Sequence, residues 1–252
     1  MNSGSEFIDT SIKILESQNR ESLATNVARD DLVEFRFRAD ETTGEFPQAK
    51  EAGERSCFIR DGGLYYDRVP IVVEQPIRFL LKPQARWSDI MSSSPFGHAL
   101  LLNDRAKDVF SQFNLDCFAE FTSEVQSHTG EIRSYTYAFL TNHLSSLNFD
   151  FSNSIFSITD AMGRPQTFVQ IDSEDAYWRL ATLAQDGTVP GCEVFSNVSL
   201  SKLKLRKNST DGVSIFGLGR FSRQMYMQRG LSEALKNASI TGLELKENSN
   251  LA

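Results

Sequence analysis

The sequence predicts an α+β fold in which short, mainly antiparallel strands dominate and a few helices pack against them. Three observations carry this expectation. Short segments alternate apolar and charged residues, as at 32–38, where Val33, Phe35 and Phe37 interleave with Glu34, Arg36 and Arg38. The 19 Phe residues are spread along the chain, and bulky rings suit a half-buried pleated surface. Two segments place helical apolar spacing between strand patterns, around Ala106-Val109-Phe110-Phe113 and Leu231-Ala234-Leu235-Ala238. With 252 residues and 40% hydrophobic content, the chain can bury a sizeable core.

In chain order, residues 8–28 show loose helical periodicity, with Ile8, Ile12 and Leu15 on one face. Residues 32–38 read as a strand with one wet face, and 39–56, rich in Glu, Thr, Gly and Lys, as a loop. Short strands are expected at 57–60, 64–66 and 69–73, the first two joined by a tight Asp61-Gly62-Gly63 turn. Residues 83–98 read as a linker or irregular segment.

The clearest unit follows. Leu100-Leu101-Leu102 is a strand, Asn103 or Asp104 can cap the free N–H groups of a helix, and 115–121 returns as a strand. Strands are expected again at 135–140 and 168–171. Ser173 followed by Glu174 and Asp175 opens a helix that ends by 187–190. Leu200, Leu203 and Leu205 sit among lysines in an edge strand, where lysines discourage edge-to-edge pairing. The C-terminus repeats the strand–helix–strand order over 225–245. An offset of 125 aligns Ala106 with Leu231, Val109 with Ala234, Phe110 with Leu235, Phe113 with Ala238 and Phe118 with Leu243. Equal pitch suggests two related strand–helix–strand units, although any amphipathic helix between two strands would align in this way. The expected organisation is an N-terminal α/β extension or subdomain over 1–82 and an α+β domain over 83–252.

Charge is uneven. Residues 1–60 carry −4, 61–200 carry −8 and 201–252 carry +5. The acidic body argues against general binding to a phosphate backbone, while the basic last fifth leaves open a nucleic-acid-binding regulatory module. Cys57, Cys117 and Cys192 are odd in number and form no CxxC pair, so a reducing compartment fits better than a disulfide framework. No basic segment followed by an apolar run opens the chain, and no apolar run is long enough for a bilayer. The expected location is the cytoplasm, with no membrane partner.

Motifs that carry chemistry are few. There is no GxSxG elbow and no GxxxxGK[ST] loop, and Gly217-Leu218-Gly219 lacks a third glycine. His98, His128 and His143 are isolated, without metal-ligand spacing. Asp30-Asp31 and the Asp172, Glu174, Asp175 cluster are acidic pairs, but neighbours in a helix's first turn more commonly favour the helix dipole than catalysis. Catalytic, cofactor-binding and metal-binding residues are therefore expected to be none. For a partner surface the best cluster is Asp172, Glu174 and Asp175 with Tyr177 and Trp178, because rings supply buried area and charges supply steering. The competing reading of the same residues is a capped helix with Trp178 in the core.

Several motifs, taken in order, resemble a known family. They are Ser88-Asp89-Ile90; Leu100-Leu101-Leu102-Asn103-Asp104-Arg105-Ala106; Phe118-Ala119-Glu120-Phe121; Tyr135-Thr136-Tyr137; Phe149-Asp150 with Ser154; Leu231-Ser232-Glu233-Ala234-Leu235; and Ser239-Ile240-Thr241-Gly242-Leu243-Glu244. Over roughly residues 87–246 this order and spacing resembles a bacterial immunity-protein family of polymorphic toxin systems, formerly catalogued as a domain of unknown function. Asn103 stands where that family usually has serine, and Ser239 stands near its usual glycine. The resemblance implies a non-enzymatic protein that binds and neutralises a cognate toxin by stoichiometric contact. It transfers no catalytic residues, because the shared motifs look structural. The alternatives are a hydrolase reversing a toxin-made modification and the nucleic-acid-binding module.

Overall fold

The computed structural model describes residues 12–15, 31–52, 58–59, 71–72, 75–94, 98–113, 118–219, 221–222 and 224–246. The fold is α+β and mostly β. In chain order the elements are β1 (Ile12–Ile14), β2 (Leu32–Phe37), β3 (Ala49–Glu51), β4 (Phe58–Ile59), β5 (Ile71–Val72), β6 (Ile77–Leu81), β7 (Ile90–Ser94) and β8 (Ala99–Leu102). Then come α1 (Asp104–Phe110), β9 (Phe118–Gln126), β10 (Ile132–Leu140), β11 (Ile155–Thr159), β12 (Pro165–Ile171) and α2 (Glu174–Gln185). The chain continues through β13 (Asn197–Lys202), β14 (Ile215–Gly217), β15 (Met225–Gln228), α3 (Arg229–Asn237) and β16 (Leu243–Lys246). They divide into two compact units. One comprises Ser145–Ser209 with the N-terminal strand; the other comprises Asp30–Leu144 and Thr210–Glu247.

The larger unit contains a closed barrel in the order β10-β8-β7-β3-β6-β9, with β3–β7 and β6–β9 parallel and the other pairs antiparallel. It also contains an antiparallel sheet, β14-β15-β2-β16. Strand periodicity sorts the barrel's side chains. Tyr135, Tyr137 and Phe139 of β10, Ala99 and Leu101 of β8, and Met91 of β7 fill the interior with Phe79 and Val125. Their sequence neighbours Ala138, Leu140, Leu100, Leu102 and Ile90 point outward, into a second core. That core also takes Val33 and Phe35 of β2, Met225 and Met227 of β15, Val109 and Phe110 of α1, and Leu231 and Leu235 of α3. A wall buried on both faces explains why β8 is an uninterrupted apolar run, Ala99-Leu100-Leu101-Leu102.

The two strand–helix–strand units share one topology. β8 and β9 flank β10, antiparallel to it on either side, and α1 connects them. β15 and β16 flank β2 in the same way, and α3 connects them. Both helices bury their apolar faces, Phe110 and Leu235 included, in the same core. Local sequence sets the helix ends. Asn103 caps α1 by accepting a hydrogen bond from Ala106 N at 2.9 Å. After α3 the chain turns at Ser239, in the left-handed region at φ +52°, while Ser239 N donates to Lys236 O and Ile240 N to Leu235 O.

In the smaller unit, β1-β12-β11-β13 form an antiparallel sheet with β1 and β13 at its edges. Two 3₁₀ turns, Ser146–Asn148 and Phe151–Asn153, precede β11. Ser154 ties this stretch down. Its hydroxyl donates to Asp150 O at 2.7 Å and accepts from Lys204 N at 3.0 Å. The Asp150 carboxylate accepts from Asn153 Nδ2 at 2.8 Å.

Four sequence expectations are corrected. Residues 49–51, expected within the loop over 39–56, form barrel strand β3, paired with β6 and β7. Residues 12–14, expected within a helix, form β1, because the edge of β12 offers their backbone hydrogen-bond partners; Ile8 and most of 8–28 lie outside the described residues. The expected linker over 83–98 holds barrel strand β7, whose serines hide its strand pattern; Ser92 Oγ accepts from Gln48 N at 2.9 Å. The boundary at 82/83 does not divide the units. β2 joins the C-terminal strands β15 and β16, and β6 joins β9. β4 and β5 fall within two of the expected short strands and pair with each other, whereas the hairpin expected between 57–60 and 64–66 rests on Asp61-Gly62-Gly63 and residues 64–66, which lie outside the described residues.

Candidate interaction surface

Helix α2 is the element from which the sequence-expected surface is built. Ser173 caps it, its Oγ accepting from Ala176 N at 3.3 Å and lying 2.8 Å from Asp172 Oδ1. Glu174 and Asp175 occupy the first turn, where the helix dipole favours negative charge. Ala176, Tyr177, Leu180 and Ala184 form the buried face. Tyr177 is therefore core, packed on Phe156 with ring centroids 5.6 Å apart, and burial pushes its phenol up to about 12. Trp178 lies one residue further round the helix and is 39% exposed. Its ring meets Tyr177 edge-on at 4.9 Å, and its Nε1 donates to Glu174 Oε1 at 3.1 Å. Of the five expected partner-binding residues, Asp172, Asp175 and Trp178 face solvent, Glu174 orients the indole, and Tyr177 supports it from beneath. The competing reading was right about the cap and wrong about Trp178. A file of ring contacts, Phe149 to Phe151 to Phe156 to Tyr177 to Trp178, backs the indole from the interior outward.

Sequence reasoning missed the loop that follows α2. Val194 is 58% exposed and Phe195 is 75% exposed. Both are held by a tightly bonded frame. Phe195 N donates to Gln185 O at 3.0 Å, Glu193 N to Gln166 Oε1 at 3.3 Å, and the buried Ser196 hydroxyl lies 2.8 Å from Gln166 Oε1. Gly187, at φ +66°, lets Val194 approach so closely that a Cβ there would lie 2.6 Å from Val194 Cγ2. Phe195 itself is left-handed, at φ +62°. The sequence signal was present but unread: an apolar pair inside a Gly- and Pro-rich loop.

Three of the family-like motifs, at 88–90, 100–106 and 239–244, meet at Asp89. Its carboxylate accepts from Asn103 Nδ2 at 2.9 Å, from Arg105 Nη1 at 3.2 Å and from Thr241 N and Oγ1, both at 2.8 Å. Arg105 also donates to Ala238 O. Burial works against the charged form, but the hydrogen bonds from Asn103 and Thr241 and the Arg105 charge outweigh it, so the carboxyl lies below its ordinary range. Gly242, at φ +104°, passes so close to Ile90 that a Cβ would collide with the Ile90 carbonyl. Asp89, Asn103, Arg105 and Thr241 thus lock the two strand–helix–strand units together.

Other features are soon placed. His98 and His143, 45 residues apart and read as isolated, stack with ring centroids 5.0 Å apart. Among the described residues, no group of three or more His, Cys, Asp or Glu side chains is positioned to hold a metal ion, and no helix is long and apolar enough to cross a membrane. The basic residues after position 200 are split. Lys202, Lys204, Arg206 and Lys207 belong to the smaller unit, Arg229, Lys236 and Lys246 to the larger, and Arg220 and Arg223 lie outside the described residues. Neither the family models nor the curated proteins compared with this sequence give a match.

Proposed function

We propose that this protein is an immunity protein that neutralises a cognate bacterial toxin in the cytoplasm by stoichiometric binding, without turnover. The observation that carries the reading is the surface on α2. Trp178 stands part-exposed beside the exposed Asp172 and Asp175, with Glu174 fixing its indole and Tyr177 backing its ring. A large aromatic held in one orientation loses little freedom on binding, and flanking carboxylates steer a basic partner, so this composition suits a binding hot spot. The motif resemblance over residues 87–246 supports the same reading. The acidic balance of the chain, −7, suits a basic target. The test is whether a neighbouring gene encodes a toxin, followed by titration of that toxin in purified form. Residual toxin activity falls linearly to near zero at a fixed molar ratio.

A further inference from the structure

We propose that the loop carrying Val194 and Phe195 is the prong that seats in the toxin, and that its complement there is an apolar pocket rimmed by lysine or arginine. This rests on the reading of the protein as a toxin-binding inhibitor. Four observations converge on it. Folding gains nothing from a phenylalanine that is 75% exposed beside a valine that is 58% exposed. Phe195 also stands at φ +62°, a conformation that a bulky L-residue rarely adopts, although the same loop places glycine at its two other left-handed positions, Gly187 and Gly191. Strain retained where a glycine would remove it points to a requirement for the side chain itself. Hydrogen bonds from Phe195 N to Gln185 O and from Glu193 N to Gln166 Oε1 fix the loop on either side of Val194, so little order has to be gained on binding. Finally, between Arg179 and Lys202 the only charged residues are Asp186 and Glu193, both exposed, and on the neighbouring turn the exposed Arg164 is paired with Asp160 at 2.6 Å, so the net charge bordering the prong is acidic and its partner's rim is basic.

Sheet register widens the apolar end. Thr159 pairs with both Pro165 and Asn197, so the turn bearing Met162, 80% exposed, leaves the sheet at the end where Phe195 enters it.

Phe195→Gly gives a clean test, because glycine accepts the left-handed backbone and the variant keeps its fold. The probe is the purified toxin encoded beside this gene, whose absence would itself remove the immunity reading; it is titrated against wild type, Phe195→Gly and Glu193→Lys, with melting and sedimentation measured for each. The expected result is neutralisation by wild type and at least a tenfold rise in Kd for Phe195→Gly, with a melting temperature no lower than wild type. Glu193→Lys weakens binding mainly through slower association. Unchanged affinity in Phe195→Gly overturns the prong and leaves the immunity reading standing. Unchanged affinity in Glu193→Lys overturns the basic rim. A wild-type dimer that Phe195→Gly dissolves, with neutralisation intact, makes a second copy of this chain the occupant and also overturns the proposal. Failure of wild type to neutralise removes the immunity reading and the prong together.

Discussion

Asp89 draws hydrogen bonds from Asn103 and Arg105 at the start of α1 and from the distant Thr241 onto one carboxylate. Its folded pKa lies below the ordinary 3.8, so the stabilisation it gives is complete above that value and is lost as the pH falls through the folded value. Asp89→Ala is expected to cost about 2–3 kcal/mol near neutral pH, since it strands donors that the carboxylate satisfied. The gap in stability between variant and wild type narrows below about pH 4. Denaturant titrations at pH 7 and pH 3 check this, and a gap independent of pH would contradict it. Ser154 makes a smaller knot of the same kind, between Asp150 O and Lys204 N. Ser154→Ala is expected to lower stability by about 1–2 kcal/mol while leaving toxin affinity unchanged. Lost inhibition at unchanged melting temperature would place Ser154 in the interface. At this scale the caps were legible: Asn103 and Ser173 are short polar residues before apolar periodicity. The convergence on Asp89 was not legible, because its partners come from sequence separations of 14 to 152 residues.

Single elements owe their persistence to tertiary packing. Helix α1 has 7 residues, too few to hold in water alone, and survives because Ala106, Val109 and Phe110 enter a core shared with α3 and β2. Phe110→Ala is expected to cost about 3–5 kcal/mol, read from the midpoint of a denaturant melt. A cost below about 1 kcal/mol would mean that the core collapses onto the gap or that the helix does not pack as described. Periodicity exposed both helices of the related units, because each buries one stripe. It failed at β7, where serines occupy strand positions and Ser92 accepts from Gln48 N, and at β1, where a three-residue strand is too short for any period to show. The loop over 186–196 was passed over because Gly and Pro mark a turn without revealing that it displays Val194 and Phe195.

For the molecule as a whole, chain order and spatial order diverge. β2, near the start, lies between β15 and β16, near the end, so no cut in the first 82 residues releases a self-contained piece. A sequence read from left to right hides such pairing, since strand partners carry no mark of each other beyond apolar alternation. The organisation also separates roles. The motifs at 88–90, 100–106 and 239–244 build the joint around Asp89 in the larger unit, whereas Trp178 and Phe195 stand exposed on the smaller one. Under the proposed function, this separation lets scaffold and contact surface vary independently. The most direct measurement is residual toxin activity against molar ratio of this protein, taken after short and long incubation. Stoichiometric binding predicts one straight line to near zero at a fixed ratio, identical at both times. Toxicity that disappears at substoichiometric amounts as incubation lengthens would show turnover and contradict the account.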